Sequence, residues 1–341
     1  MKISLVIPAY NEAEGIKDTL DELECYMNGY RKSDDWEIIV VNDGSTDATV
    51  DICEEIGREK PWLKVVDLGA HYGRGRALRK GLETALGEII VSFDADLSYA
   101  PCHIEKLAET LQREGGDIVL ASAYGEGGTV KNVPLKRLWV SIIGNKILSY
   151  MFGGEVTVLT CLARAYRKDF IGRLDLNSDD KEIHLEILFK ARTLGGKILE
   201  IPADLNWRQS KLAKACNDKG TQRRSTMKFR KTSNSHMFFA LMSKPGFIFL
   251  VPGFVLMTIA FIILYSKFWL IMKAISLGEP AYDTIRNSMK SATPSWMAVI
   301  VFTILAVQFF ALSFMTNQIK RVYEEIYKTL NAIFVHIEKK K

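Results

Sequence analysis

The sequence predicts an α/β domain with a mostly parallel sheet, followed by two transmembrane helices. Short apolar runs rich in Ile and Val alternate with longer helical stretches as far as residue 203. Runs that are apolar at nearly every position are typical of parallel strands covered by helices on both faces. Two later segments, 245–266 and 291–319, carry no charged residue, although charged residues make up 25% of the chain.

The predicted elements follow one another in alternating order. Strands are predicted at residues 3–7, 36–41, 63–68, 88–93, 117–121 and 198–203. Helices are predicted at residues 12–28, 46–59, 74–86, 102–114 and 181–194, and a further helix at 137–152 is predicted to lie at a membrane interface. In such folds ligands bind beyond the carboxyl ends of the strands, so the residues that follow each strand are the first candidates for a site.

The two charge-free segments are long enough to span a membrane, because about 20 apolar residues cross ~30 Å of hydrocarbon. Buried core helices of this length would need a much larger surrounding domain. The sequence therefore divides into an α/β domain (1–211), a basic juxtamembrane segment (212–244), two spans with their loop (245–319) and a cytoplasmic amphipathic tail (320–341). Basic residues before the first span and after the second predict a cytoplasmic α/β domain, although the loop between the spans is also basic.

Composition excludes several classes of protein. The net charge is +5, and the basic residues are dispersed, so no nucleic-acid partner is predicted. The five cysteines are scattered without metal-ligand spacing, which is typical of a reducing compartment. The first residues lead directly into a strand and do not resemble a signal peptide, which again predicts a cytoplasmic domain.

Polar residues follow three of the predicted strands. Residues 8–12 (Pro-Ala-Tyr-Asn-Glu) end the first strand, residues 42–47 (Asn-Asp-Gly-Ser-Thr-Asp) the second, and residues 94–98 (Asp-Ala-Asp-Leu-Ser) the fourth. Each motif alone is also an ordinary turn or helix cap. Because the ends of parallel strands meet at one edge of a sheet, their joint placement favours a single cleft.

The carboxylates in these motifs suit a phosphorylated ligand. Asp94 and Asp96 place two carboxylates near one point, and Mg²⁺ or Mn²⁺ binds through one or two carboxylates together with substrate phosphates. Such an ion would neutralise a diphosphate leaving group. Asp43 is placed to accept a hydrogen bond from a base or ribose, and Tyr10 to pack against the base. The turn at Arg74 opens a helix whose first amide groups are predicted to favour phosphate.

These motifs, in this order, resemble those of the family 2 inverting glycosyltransferases of GT-A fold, and within them the polyprenyl-phosphate sugar synthases. The resemblance covers residues 1–211. It implies a UDP- or GDP-hexose as donor, a polyprenyl phosphate as acceptor, Mg²⁺ or Mn²⁺ as cofactor, and an integral membrane enzyme. For the nucleotide it implies Pro8, Tyr10, Glu12, Asp43, Arg74 and Asp94.

The resemblance also implies further site residues. Asp94 and Asp96 are the implied metal ligands, and with Arg208 they are the implied catalytic residues. Arg208 begins residues 208–211 (Arg-Gln-Ser-Lys), which resemble a phosphate-clamping motif. For the acceptor phosphate the resemblance implies Arg164 and Lys211, and Arg137, which opens the predicted interface helix, is a further candidate. Basic residues in this region also suit a solvated surface facing the membrane.

One departure from the family pattern concerns the acceptor. Ser122-Ala123 stands where family members usually carry Ser-Arg, so one phosphate contact is lost or is supplied by another residue, for which Arg137 is the candidate. An anionic phosphate acceptor needs no general base, whereas a hydroxyl acceptor does. The only candidate bases are dispersed acidic residues, namely Asp179, Asp180 and Glu182. The sequence therefore favours a phosphate acceptor.

Two alternatives stay open. One is a glycosyltransferase that acts on a hydroxyl of a lipid or lipid-linked saccharide, and the other is a membrane scaffold with an inactive transferase fold. A processive synthase is disfavoured because the chain lacks a Gln-x-x-Arg-Trp motif. A nucleotidyltransferase is disfavoured because no Gly-rich loop follows the first strand.

Overall fold

The structure, a computed structural model, describes residues 2–31, 35–207 and 245–338. These residues form two compact units. We call the first the sheet unit (residues 2–207 and 328–338) and the second the helix unit (residues 245–327).

The strands of the sheet unit form one large and one small sheet. They are β1 Ile3–Ala9, β2 Trp36–Asn42, β3 Leu63–Asp67, β4 Ile89–Ser92, β5 Ile118–Ser122, β6 Thr129–Lys131, β7 Arg164–Arg167, β8 Ile198–Pro202 and β9 Asp204–Asn206. The large sheet has seven strands in the order β3-β2-β1-β4-β7-β5-β8, and β6 and β9 form a separate pair. Within the large sheet only β7 is antiparallel to its neighbours.

Helices cover both faces of the large sheet. They are α1 Ile16–Tyr30, α2 Thr49–Glu59, α3 Arg74–Thr84, α4 Cys102–Arg113, α5 Leu135–Phe152, α6 Lys168–Ile171 and α7 Ile183–Thr193. Two hydrophobic cores result, one on each face of the sheet, and alternate residues of β1 belong to opposite cores. Burial on both faces explains why β2, β4 and β5 are apolar at nearly every position.

The six predicted strands are confirmed, and the α/β class with a mostly parallel sheet is confirmed with them. Sequence reasoning missed β7, which reads Arg-Ala-Tyr-Arg and carries a charge at each end. It also missed β6 and β9, which are only three residues long. The first two helices begin later than predicted, at Ile16 and Thr49, because the residues before them form loops at the sheet edge.

The helix unit contains two long apolar helices. Its elements are α8 Gly246–Ser276, α9 Ala281–Ser291 and α10 Thr293–Glu338, the last of which continues into the sheet unit. Both α8 and α10 are long and apolar enough to cross a membrane, and only 11% of the most apolar window of each is buried. Such exposure is opposite to that of a core helix, which supports the predicted spans.

Contacts between α8 and α10 are close. The Ser313 hydroxyl donates to the Gly246 carbonyl oxygen at 2.8 Å, and a Cβ atom added at Gly253 would lie 2.7 Å from the Phe310 ring. Small residues at such positions let two helices approach closely, as is common in membranes. The loop predicted between the spans contains helix α9, and the tail predicted from residue 320 is a direct continuation of α10.

Candidate active site

The loops that follow β1 and β2 are joined by hydrogen bonds. The Asn11 amide donates to the Ser45 hydroxyl at 2.9 Å, and the Thr46 amide donates to the Asn11 side-chain oxygen at 2.8 Å. The Glu12 amide donates to the Thr49 hydroxyl at 2.9 Å. Ala9 pairs with Asn42 in the parallel register, so both strands end at the same level. The first two sequence motifs therefore form one continuous surface at the sheet edge.

Asp43 is buried at this edge and binds the loop that follows β3. Its carboxylate accepts hydrogen bonds from the Tyr72 amide at 2.8 Å and from the Gly73 amide at 3.0 Å. The Nδ1 atom of His71 lies 2.9 Å from Asp43 Oδ2, the oxygen that also accepts from the Gly73 amide. The carboxylate predicted to meet a nucleotide thus fixes residues 71–73 of the loop that follows β3.

Tyr10 and His71 form an aromatic surface next to Asp43. Tyr10 is 40% exposed, and its ring stacks on the imidazole of His71 with centroids 4.1 Å apart. Tyr72 is also exposed, and the Arg76 guanidinium lies 4.1 Å from its ring centroid. Exposed flat rings at a sheet edge suit stacking with a planar ligand such as a base.

Asp94 and Asp96 follow β4 and are both partly exposed. The Asp94 carboxylate lies 3.4 Å from the guanidinium of Arg74. Asp96 accepts hydrogen bonds from the Ser98 amide at 3.0 Å and from the Ser98 hydroxyl at 2.8 Å. Leu97, between Asp96 and Ser98, is buried and has a φ of 47°. This backbone conformation is unusual for a bulky residue and marks a strained turn.

The three strand ends are connected through the β3–α3 loop. Asp43 binds the Gly73 amide, and the next residue along the chain, Arg74, contacts Asp94. The structure therefore brings Tyr10, Asp43, Arg74 and Asp94 to one edge of the sheet. Pro8 and Glu12 lie on the same edge and are half-buried.

A family model described as glycosyl transferase family 2 matches residues 4–174, which is half of the chain and includes all three motifs. The chain belongs to glycosyl transferase family 2. The GT-A class predicted for this family 2 chain agrees with its sheet and its covering helices.

Two curated relatives share about a third of the aligned residues with this family 2 chain. A dolichol-phosphate mannosyltransferase of Pyrococcus furiosus is 32% identical over 59% of this chain, and the alignment covers 56% of that protein. An undecaprenyl-phosphate mannosyltransferase of Micrococcus luteus is 31% identical over 59% of this chain and 82% of the relative. Among solved structures, Mycobacterium tuberculosis glucosyl-3-phosphoglycerate synthase with UDP is 23% identical, covers 61% of this chain and 71% of that one, and has a TM-score of 0.46.

The carboxylates of the family 2 site are compatible with a metal ion shared with a ligand. In residues 2–31, 35–207 and 245–338, no group of three or more His, Cys, Asp or Glu side chains is placed to hold a metal. A site of one or two carboxylates completed by phosphate oxygens is, however, the usual arrangement for Mg²⁺. Asp94 and Asp96 supply such a pair at the partly exposed turn after β4.

The start of α3 differs from the prediction. The Gly75 amide donates to the Asp179 carbonyl oxygen at 2.8 Å, and the Arg76 amide donates to the same oxygen at 3.1 Å. The Gly73 amide is bound to Asp43. These amide groups are therefore not available to a phosphate, and the prediction that they bind one is wrong for this structure. The Arg74 side chain is the part of the turn that reaches the site.

Residues 178–180 press closely on α3. A Cβ atom at Gly75 would lie 2.5 Å from the Asp180 carbonyl oxygen, so no larger residue fits there. The Asp179 carboxylate contacts Arg76 at 3.1 Å and Arg79 at 2.6 Å. Asp179, a candidate base in the sequence, is thus engaged in fixing the helix that carries Arg74.

Glu186 on α7 accepts hydrogen bonds from the loop that contains Asp179. It is buried and accepts hydrogen bonds from the Ser178 amide at 2.8 Å and the Asn177 amide at 2.9 Å. Burial alone would raise the pKa of Glu186, but the hydrogen bonds from Lys190 and from the two loop amides outweigh it and hold the pKa below its ordinary value. The ionised carboxylate therefore stabilises the loop.

Arg164 is placed differently from the prediction. It has no exposed surface, and its guanidinium donates to the carbonyl oxygens of Cys161 at 2.9 Å, Leu159 at 2.6 Å and His184 at 3.0 Å. A buried charge satisfied by backbone carbonyl groups stabilises the fold around it. The structure gives Arg164 a structural role, and we do not carry it into the acceptor site.

Of the other three residues predicted for the acceptor site, the structure describes only Arg137. Arg137 on α5 is exposed, and its guanidinium lies 4.9 Å from the centroid of the Trp207 ring. Arg208 and Lys211 lie outside the described residues. The predictions for these three residues stay predictions.

Sequence reasoning missed His71 and Glu186, and it considered Asp179 only as a candidate base. His71 carries a weak signal, because it stands two residues before Gly73 in the loop that the Gly-Arg-Gly turn had already marked. The role of Asp179 has no local signal, since its side-chain partners Arg76 and Arg79 lie about 100 positions away. Glu186 offers only its i,i+4 pairing with Lys190, and its loop partners are backbone amides.

Proposed function

We propose that this family 2 enzyme transfers a hexose from UDP- or GDP-hexose to a polyprenyl phosphate, with inversion at the anomeric carbon. The observation that carries the proposal is the connection from Asp43 through Gly73 and Arg74 to Asp94. The same chain also contains two helices that are long and apolar enough to cross a membrane. The names of the Pyrococcus and Micrococcus relatives support the acceptor class.

The donor half of the site handles negative charge. Asp94 and Asp96 would hold Mg²⁺ or Mn²⁺, and the bound ion would supply charge neutralisation for the departing nucleoside diphosphate. Arg74, 3.4 Å from Asp94, adds a fixed positive group beside the same leaving group. The aromatic surface of Tyr10 and His71 binds the base at the other end of the donor.

The acceptor half needs positive charge and orientation more than a base. A phosphate monoester is already anionic near neutral pH, so its oxygen can attack without losing a proton. Asp179, one of the candidate bases, is held by Arg76 and Arg79, which favours an acceptor that requires no base. The Arg137 side chain, and Arg208 and Lys211 beyond the described residues, are the proposed phosphate ligands.

Helix α5 supports a lipid acceptor. Between Leu135 and Phe152 it has no acidic residue and carries three basic ones, Lys136, Arg137 and Lys146. Its large apolar side chains are mostly exposed, with Trp139 at 64%. An exposed apolar helix with basic residues suits the surface of an anionic membrane, and the cytoplasmic leaflet is negatively charged. We therefore place the sheet unit at the cytoplasmic face.

A transfer assay tests the proposal. The purified full chain in detergent is given labelled UDP- or GDP-hexose, a polyprenyl phosphate and Mg²⁺ or Mn²⁺. Asp96→Ala should lower the rate by about a hundredfold or more, because transition-state charge on the diphosphate loses its stabilisation. EDTA should have the same effect. Glu109→Ala, which removes an exposed carboxylate on α4, is the control and should keep full activity.

The possible results separate the alternatives. Transfer that survives both Asp96→Ala and EDTA would refute the metal assignment. Transfer to diacylglycerol but not to polyprenyl phosphate would support the hydroxyl acceptor. Binding of a nucleotide-sugar without turnover on any acceptor would support an inactive transferase fold.

A further inference from the structure

The imidazole of His71 is held in one orientation between two groups. Its Nδ1 atom lies 2.9 Å from the Asp43 carboxylate and 3.3 Å from the Asp43 carbonyl oxygen. One face of the ring stacks on Tyr10 at a centroid distance of 4.1 Å. The side chain is nevertheless 50% exposed. An exposed ring fixed on two sides is suited to contact a ligand at its remaining edge.

The partners of Nδ1 decide where the proton sits. Both are oxygen acceptors, and the Asp43 carboxylate already accepts from the Tyr72 and Gly73 amides. Nδ1 must therefore carry the hydrogen that it donates to Asp43. In the neutral imidazole this leaves Nε2 as a hydrogen-bond acceptor on the side of the ring away from Asp43.

We propose that His71 reads the base of the donor, with Nε2 accepting a hydrogen bond from a ring N–H group. The inference rests on the proposed nucleotide-sugar donor and adds a specificity-determining residue to it. Asp43 then acts on the base through His71, because its own carboxylate is buried and bound to the loop.

The chemistry of this acceptor selects among bases. Uracil has an N–H group at N3 and guanine has one at N1, whereas the corresponding ring nitrogens of cytosine and adenine carry no hydrogen. A site that offers an acceptor to these positions leaves Nε2 unpaired opposite cytosine or adenine, and such a mismatch lowers affinity. His71 thus favours uracil and guanine donors as a class.

Two variants isolate the Nε2 atom. His71→Asn retains an amide at the position of Nδ1 and can still donate to Asp43, but has no group at Nε2. His71→Gln places its amide near the position of Nε2. Both variants lose the ring that stacks on Tyr10, so their difference reports the contact at Nε2 and not the stacking.

Calorimetry on the full chain in detergent, with Mg²⁺ and UDP, GDP, CDP or ADP, measures the effect. The wild type should bind UDP or GDP at least tenfold more tightly than CDP and ADP. His71→Asn should weaken the preferred nucleotide about tenfold and reduce the preference, whereas His71→Gln should stay within about threefold of wild type, one hydrogen bond being worth about a factor of ten. Thermal unfolding of each variant checks that the fold is kept.

Equal affinities for the two variants would overturn the inference, because only the lost stacking would then matter. Wild-type affinity in His71→Asn would overturn it as well. Failure of the wild type to bind any of the four nucleotides would instead count against the proposed donor, so the two failures are distinguishable.

Discussion

The ends of β2 and β4 carry the same type of residue in opposite surroundings. Asp43, after β2, is buried, and its carboxylate binds two backbone amides and an imidazole. Asp94 and Asp96, after β4, are partly exposed, and their contacts include the Arg74 guanidinium and Ser98. The carboxylate after β2 is part of the packed loop structure, whereas the two after β4 are partly accessible to solvent. A carboxylate in a binding motif therefore has to be assigned from its surroundings.

Replacing the buried carboxylate should have the largest effect on stability. Asp43→Ala leaves the Tyr72 and Gly73 amides without their acceptor, which should lower the free energy of unfolding by about 3 kcal/mol. Asp96→Ala should cost only about 1 kcal/mol, since the Asp96 carboxylate is partly exposed and accepts from Ser98 in the same turn. Thermal unfolding of the full chain in detergent measures both. Equal losses would remove the distinction between the two strand ends.

The close contact between α3 and residues 178–180 gives the second-largest expected effect on stability. Gly75→Ala places a methyl group 2.5 Å from the Asp180 carbonyl oxygen, and overpacking of this kind should cost about 2 kcal/mol. Because Arg74 would move with the helix, transfer should slow as well. Gly29→Ala on α1 is the matched control, because its added Cβ atom meets nothing within 4 Å. The control should stabilise the protein by up to about 1 kcal/mol. A neutral Gly75→Ala would contradict the packing described for residues 178–180.

The smallest effect concerns pH. The pKa of Glu186 is lowered in the folded state from an ordinary value of 4.5, so its contribution to stability is present above pH 4.5 and is lost as the pH falls through the folded pKa. Glu186→Gln should remove this part of the acid sensitivity and make stability less dependent on pH in that range. Unfolding temperatures between pH 3 and 7 test this, with Glu109→Gln as the control. Parallel curves for wild type and Glu186→Gln would show that the loop does not depend on the charge.

The frame of the fold could be predicted from the sequence because parallel strands buried on both faces have an unmistakable composition. The three strand-end motifs could be found for the same reason, since the end of a strand marks the edge of the sheet. Strand β7 could not be predicted, because Arg-Ala-Tyr-Arg is short and charged at both ends.

The details of the site were harder to predict because they depend on long-range contacts. Asp43 and Asp179 are visible in the sequence, but their hydrogen bonds to the start of α3 are not. Asp43 accepts from the Gly73 amide, and the Asp179 carbonyl oxygen accepts from the Gly75 and Arg76 amides. Arg164 shows the limit most clearly. A guanidinium that meets phosphate and one that is buried among carbonyl groups are the same residue in the sequence, and only its surroundings tell them apart.

The position of β7 has a consequence for how the chain assembles. Ile89 of β4 pairs with Arg167, and Ile118 of β5 pairs with Tyr166, so β4 and β5 are joined only through a strand that follows both of them. During synthesis, β1 to β4 can associate early, whereas β5 has no place beside them until residues 164–167 leave the ribosome. Until then β4 presents an unpaired edge, the feature through which nascent sheets most readily associate with other chains. Completion of the sheet thus waits for one four-residue strand.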